Sequence, residues 1–229
     1  MDNLFSSVIA VRERIQRACD RAHRNPNDVT LVAVTKTVDI ERIAEAYACG
    51  LRDFGENRPQ ELARKALLLP HDVRWHMIGH LQRNKIHFVV DTAACIHSVD
   101  SLRLLIALET AATAAQRTLP VYLEINVSRE PQKHGWQEDE ISAALACAAS
   151  LPHIEVCGLM TVAQDTPDEI ELRRQFSTLR TLRDCVGSPT WALSMGMSHD
   201  FEIAIEEGAT VVRVGSAIFG KRPNAPHPA

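Results

Sequence analysis

The segment WALSMGMSHDFEIAIEEGATVVRVGSAIFG, residues 191–220, shows the unit from which the whole chain is built. Trp191 to Ser194 and the β-branched run Thr210 to Val214 read as strands, and His199 to Glu207 between them carries a helical pattern. Strands alternating with helices are the mark of βα units and a parallel sheet. Working outward, the same alternation recurs at Val29 to Thr35, Asp53 to Gly55, Arg74 to Ile78, Val121 to Val127 and Glu155 to Met160. A further strand is expected at Phe88 to Asp91, with Cys95 to Ser98 as the alternative placement. Eight strands in 229 residues predict an α/β chain folded as a single (β/α)8 TIM barrel, with an extra helix over the first 24 residues. The barrel is expected over residues 1–220. The remainder, KRPNAPHPA at 221–229, holds three prolines and no apolar period, and reads as a flexible tail.

The intervening helices carry local signals of their own. Ile40, Ile43, Ala44 and Tyr47 recur at helical spacing, and Gly50 stands where a C-terminal cap belongs. Thr166-Pro167-Asp168-Glu169 reads as a cap, a first-turn proline and a capping-box acid, followed by Leu172, Phe176 and Leu179 on one face. Leu104, Leu108, Ala111 and Ala115 mark another helix, opened by Asp100.

With 45% apolar and 24% charged residues the chain has the balance of a globular protein with a sizeable core. A net charge of −4 gives no reason to expect nucleic acid or an anionic membrane as partner. Six scattered cysteines without a CxxC pair read as reduced thiols, no stretch is long and apolar enough to span a bilayer, and Asp2 stands where a signal peptide needs positive charge. These features predict a cytoplasmic protein. His76 and His80 are four apart but lack the glutamate of a metalloprotease helix, so no metal site is expected. The short basic cluster Arg83, Lys85 and His87 reads as a solvated face or a pocket wall.

Chemistry is expected at the carboxyl ends of the strands, where barrel active sites are built. Lys36 closes the apolar run LVAVTK, and burial there would favour the neutral amine that attacks an aldehyde. A strand-end lysine that snorkels to solvent is the alternative from this segment alone. After the last two strands come two anion-friendly pieces. Ser198 is placed to cap the helix His199 to Glu207, whose first N–H groups would then face an anion. Gly215-Ser216 follows Arg213-Val214 and offers backbone N–H groups and a hydroxyl. Barrels commonly bind phosphate after strands seven and eight.

The blocks AVTKT, FGENRPQE, WHMIGHLQRNK, GLMTV and residues 193–220 together resemble the pyridoxal phosphate homeostasis protein family over almost the whole chain. The resemblance implies a barrel like that of alanine racemase, pyridoxal 5'-phosphate (PLP) as cofactor, and a role in buffering and delivering PLP rather than in catalysis. It implies a Schiff base on Lys36, with Asn57 facing the cofactor. Ser198, Gly215 and Ser216 would then hold the phosphate, and Arg213 would meet the pyridine nitrogen. The implied partners are PLP and PLP-requiring apoenzymes, and a monomer is expected. Arg58-Pro59 and the stretch Ser128 to Trp136 depart from the family's usual pattern. An amino-acid racemase is the alternative function, but it needs a second base, and Tyr47 and Tyr122, the chain's two tyrosines, fall on a helix face and near the start of the fifth strand. A barrel isomerase acting on a phosphorylated substrate would share every phosphate feature.

Overall fold

The computed structural model describes residues 4–220, so the expected tail at 221–229 lies outside the described residues. Eight strands run β1 (Thr30–Val34), β2 (Asp53–Glu56), β3 (Arg74–Met77), β4 (Ala93–Val99), β5 (Leu119–Glu124), β6 (Ile154–Met160), β7 (Ala192–Ser194) and β8 (Val211–Val214). Each pairs in parallel with the next, and β8 returns to β1 through Thr30 opposite Val211, closing an eight-stranded barrel. The helices are α1 (Leu4–Arg21), α2 (Ile40–Ala48), α3 (Pro59–Ala66), α4 (Leu102–Ala114), α5 (Ile141–Ala148), α6 (Glu169–Val186), α7 (Phe201–Glu206) and α8 (Ser216–Phe219). Helix α1 is the extra one. It packs outside the barrel on α7 and α8, where Arg14 meets Glu202 at 2.6 Å and Arg24 donates to the Ile205 carbonyl at 2.6 Å.

The fourth strand occupies the alternative placement. Phe88 to Asp91 is a turn that follows a 3₁₀ segment over Arg83–Phe88, although Val89 and Val90 are β-branched. Their side chains are buried, and the Arg117 guanidinium bonds the Val90 and Ala93 carbonyls at 2.8 and 2.9 Å. These apolar residues therefore serve the core from a turn, and a run of apolar residues alone cannot distinguish the two cases.

The helix starts also shift. The α6 cap is Asp168, whose carboxylate accepts from Ile170 and Glu171 N–H, while Thr166 accepts from Asp168 N–H two residues earlier. Ser101, not Asp100, caps α4. On α2 the inward face is Ile40, Ile43, Ala46 and Tyr47, and Ala44 is exposed. Gly50 does adopt a positive φ of 85° after α2, a conformation that costs most side chains energy.

Alternation along the strands separates two packing regions. Phe54, Leu62, Phe176 and Leu193 belong to the large core between barrel and helices. Val32, Cys95, Tyr122, Met160 and Val211 form a smaller cluster, and alternation places them inside the barrel. Gly158 on β6 marks the closest approach, since a Cβ there would stand 2.1 Å from the Ala192 carbonyl oxygen on β7. Gly158→Ala is expected to lower stability by about 1–3 kcal/mol, the usual cost of forcing atoms into a packed site. Urea unfolding of the variant beside wild type measures it.

Candidate functional site

Lys36 lies in the turn after β1, half-buried, followed by Thr37 at a positive φ of 63°. The peptide before it is held from below. Lys65 of α3 is 1% exposed, donates to the Thr35 carbonyl at 2.8 Å, and pairs with Glu56 Oε1 at 2.5 Å. Thr35 donates its hydroxyl to the same Glu56 oxygen at 2.8 Å. A buried charge this well partnered is costly to disturb from either side, so the carboxyl ends of β1 and β2 are fixed relative to each other. Sequence reading missed this pair. The available signal was Lys65 four residues after Glu61 on a helix whose inward face includes Leu62, a face where a lysine has to find a carboxylate.

Asn57 follows β2 directly, and its Oδ1 is buried without a hydrogen-bond partner among the described residues. Leaving such an atom unsatisfied costs about 1–3 kcal/mol, which fits a side chain that completes its bonding on a ligand. Gly79, in the loop after β3, rests on the Asn57 backbone, where an added Cβ would come within 2.5 Å of the Asn57 carbonyl oxygen. Pro59 opens α3 as its first residue, so the departure at Arg58-Pro59 supplies a helix start two residues after the asparagine.

The two anion-friendly pieces meet each other. Ser198 does not cap α7. That helix begins at Phe201 after Asp200, whose carboxylate accepts from Met197 N–H. Ser198 Oγ instead accepts from Gly215 N–H at 3.1 Å and Ala217 N–H at 3.3 Å. One hydroxyl, the amides of Gly215 and Ala217 and the exposed Ser216 thus converge from the loops after β7 and β8. An anion that took the place of Ser198 Oγ would find these two N–H groups with hydroxyls beside them, a donor set with no acidic partner among these bonds. Gly215 has an ordinary negative φ of −114°, and its need for glycine is space, because a Cβ would lie 3.3 Å from Val34 Cβ on β1. Gly196 is the residue that needs glycine for its backbone, at φ 93°.

Arg213 on β8 is 4% exposed, with one guanidinium nitrogen donating to Ser194 Oγ at 2.6 Å and another to the Thr161 carbonyl at 2.8 Å. Burial lowers its pKa to about 10, opposed by Asp200 and Glu124, so it stays charged at neutral pH. From Ser194 a buried chain continues across the barrel. His97 Nδ1 lies 2.9 Å from Ser194 Oγ, His97 Nε2 lies 2.9 Å from His76 Nδ1, and His76 Nε2 lies 3.1 Å from Asp53 Oδ1. Burial first, then His76 and Arg213, pushes the His97 pKa well down, so this ring is neutral. Asp53 only accepts, so with both imidazoles neutral one direction follows for the protons. His76 donates to Asp53, His97 donates to His76, and Ser194 donates to His97 while accepting from Arg213. Arg74 closes the far end with bonds to Asp53 at 2.7 and 2.5 Å.

His76 and His80 therefore do not form a metal pair, because His76 is committed to this chain and His80 bonds Asp100. Tyr47 bonds Asp72 at 2.7 Å on the outside of the barrel. Tyr122 is the fourth residue of β5, deeper than its expected place, with its ring 4.3 Å from that of His97. Glu124, at the end of β5, was not singled out by any motif. Burial, then Asp100, raises its pKa to about 7 against the opposing Arg213.

Several comparisons bear on the whole chain. The family model for the alanine racemase N-terminal domain matches residues 7–223. The pyridoxal phosphate homeostasis protein of Aquifex aeolicus is 42% identical, covering 96% of this chain and 99% of its own. The Pseudomonas aeruginosa protein of the same name is 38% identical, covering 97% of each chain. Among solved structures, PipY of Synechococcus elongatus with PLP bound superposes with a TM-score of 0.82 at 34% identity, covering 95% of this chain and all of that one. Alanine racemase of Corynebacterium glutamicum shares the fold alone, with a TM-score of 0.62 at 19% identity over 95% of this chain and 62% of its own.

Two outcomes follow from the buried groups. A carboxyl whose folded pKa is raised, from 4.5 to about 7 for Glu124, binds more protons folded than unfolded, so it costs stability increasingly as pH rises through that interval. Glu124→Gln should therefore raise the melting temperature relative to wild type more at pH 7 than at pH 5, a comparison calorimetry makes directly. Ser194→Ala strands His97 Nδ1 and one Arg213 N–H, and is expected to cost about 1–3 kcal/mol in chemical denaturation.

Proposed function

The chain belongs to the alanine racemase N-terminal domain family and, within it, to the pyridoxal phosphate homeostasis proteins, and from that premise we propose that it binds PLP, buffers it, and delivers it to PLP-requiring apoenzymes in the cytoplasm. The reading is supported by an amine after β1, an unsatisfied buried amide oxygen after β2 and the Ser198, Gly215 and Ala217 bonds after β7 and β8, all at one end of the barrel, with a buried guanidinium on β8. Lys36 supplies the amine for a Schiff base with the cofactor aldehyde, with loss of water. Asn57 satisfies its amide on the ring substituents. Ser198, Gly215 and Ser216, joined by the Ala217 amide, take the phosphate. Arg213 lies against the pyridine nitrogen.

Bound PLP supplies an electron sink that depends on a protonated ring nitrogen. A guanidinium that keeps its proton at neutral pH opposes that protonation, and Ser194 and the Thr161 carbonyl hold it in place. This arrangement supports holding the cofactor over driving carbanion chemistry. The tyrosines support the same choice over a racemase. Tyr47 is engaged with Asp72 outside the barrel, and burial raises the Tyr122 pKa beyond its ordinary value, so neither serves as a second base. Among the described residues no helix is long and apolar enough to cross a membrane.

The test is the absorbance of the purified protein, wild type and Lys36→Ala, followed by borohydride reduction and peptide mapping. An internal Schiff-base band present only in wild type, with the reduced pyridoxyl group on Lys36, is the expected result. A colourless wild-type protein that takes up no added PLP would overturn the reading and turn attention to an isomerase of phosphorylated substrates.

A further inference from the structure

At the rim of the same barrel face, outside the Lys36 to Arg213 site, three side chains from three loops converge. His80 follows β3, Asp100 follows β4, and His134 stands in the loop between β5 and α5. His80 Nδ1 lies 3.0 Å from Asp100 Oδ2, and His134 Nδ1 lies 3.7 Å from the same oxygen. The two imidazoles stack nearly parallel, with centroids 4.0 Å apart and 13° between planes. One ligand atom from each of the three residues lies within 4.8 Å of the other two.

A surface ion pair accounts for His80 on Asp100. It does not account for a second imidazole laid on the first with its Nδ1 near the same carboxylate oxygen, an arrangement two cationic rings would oppose. The separations suit a shared ion instead. Nitrogen and oxygen donors bound at about 2.0–2.2 Å stand about 3.0–3.6 Å apart at octahedral to tetrahedral angles. Only small movements would bring these atoms onto one centre. Asp100 is anchored for the task, its side chain 9% exposed, whereas His80 and His134 are 42% and 58% exposed and leave the outer coordination positions to water. Two imidazoles with one carboxylate form a borderline donor set that favours zinc, nickel or cobalt over calcium or magnesium, which prefer oxygen donors alone.

We propose that His80, Asp100 and His134 bind one divalent transition-metal ion, completed by water, at the rim of the barrel. This departs from the sequence expectation, which weighed His80 only against His76 and expected no metal site. His134 lies within the loop Ser128 to Trp136 that follows β5. A bound ion would tie that loop to the β3 loop, whose Gly79 rests on Asn57. The proposal stands on its own donors and does not depend on how the Lys36 site is read.

Cobalt(II) is the probe, titrated into purified full-length protein by visible absorption and calorimetry. One ion per chain is expected, with ligand-field bands and no thiolate-to-cobalt charge transfer. His134→Ala, which removes an exposed loop side chain, should weaken binding at least tenfold and lower the ligand-field intensity, and Asp100→Asn should weaken it as well. Cys185→Ser, at an exposed thiol, should leave it unchanged. Absence of saturable binding in wild type, binding indifferent to both His134→Ala and Asp100→Asn, or a thiolate charge-transfer band would each overturn the proposal.

Discussion

The placement of one guanidinium inside the barrel governs much of this structure. A charge withdrawn from water is tolerated only where its donors are matched and its position is fixed. Arg213 meets that demand with a serine hydroxyl and a backbone carbonyl, and the serine is held by a histidine that is held by another. The chain ends at Asp53, which balances Arg74. Small barrels fill their interiors with branched apolar side chains. Here a polar diagonal replaces part of that filling and crosses the barrel from β8 through β7, β4 and β3 to β2.

The consequence for the site is directional. Arg213 donates to Ser194 Oγ, so the serine meets the guanidinium with a lone pair and, with both imidazoles neutral, gives its own proton to His97. The guanidinium is held there by two acceptors, the Ser194 hydroxyl and the Thr161 carbonyl. Below Lys36 a second buried pair, Lys65 with Glu56, fixes the peptide that carries the amine. Amine and guanidinium are thus set by two separate networks, one through β1, β2 and α3 and the other through the interior. A substitution in one is expected to act on the other only through the bound ligand.

The sequence revealed the strand count, the barrel and the elements that bear the site, because β-branched runs and helical spacing are local properties. Its failures were of two kinds. Phe88 to Asp91 looked like a strand since buried apolar residues serve a turn as readily as a strand, and the difference lies in carbonyls capped by the distant Arg117. Ser198 looked like a cap for the helix after it, yet its oxygen is used by amides seventeen and nineteen residues later. His76, His97, Ser194 and Glu124 have no local signature. They become neighbours only when the barrel closes, and no spacing along the chain encodes that closure.

A protein that holds PLP and also gives it up faces opposite demands at the two ends of such a site. On the reading proposed above, retention falls to Lys36 after β1 and to the loops after β7 and β8. On the same reading, restraint of chemistry falls to the buried Arg213. Delivery requires the rim to release what the interior has kept inert. Glu124, at the end of β5, has its pKa raised to about 7 by burial and then by the charge of Asp100. Arg213 also feels Glu124, so the protonation of one rim carboxyl is felt by the buried cation across the pocket. A network that fixes the buried cation, beside one carboxyl that titrates near neutral pH, couples the charge inside this end of the barrel to pH.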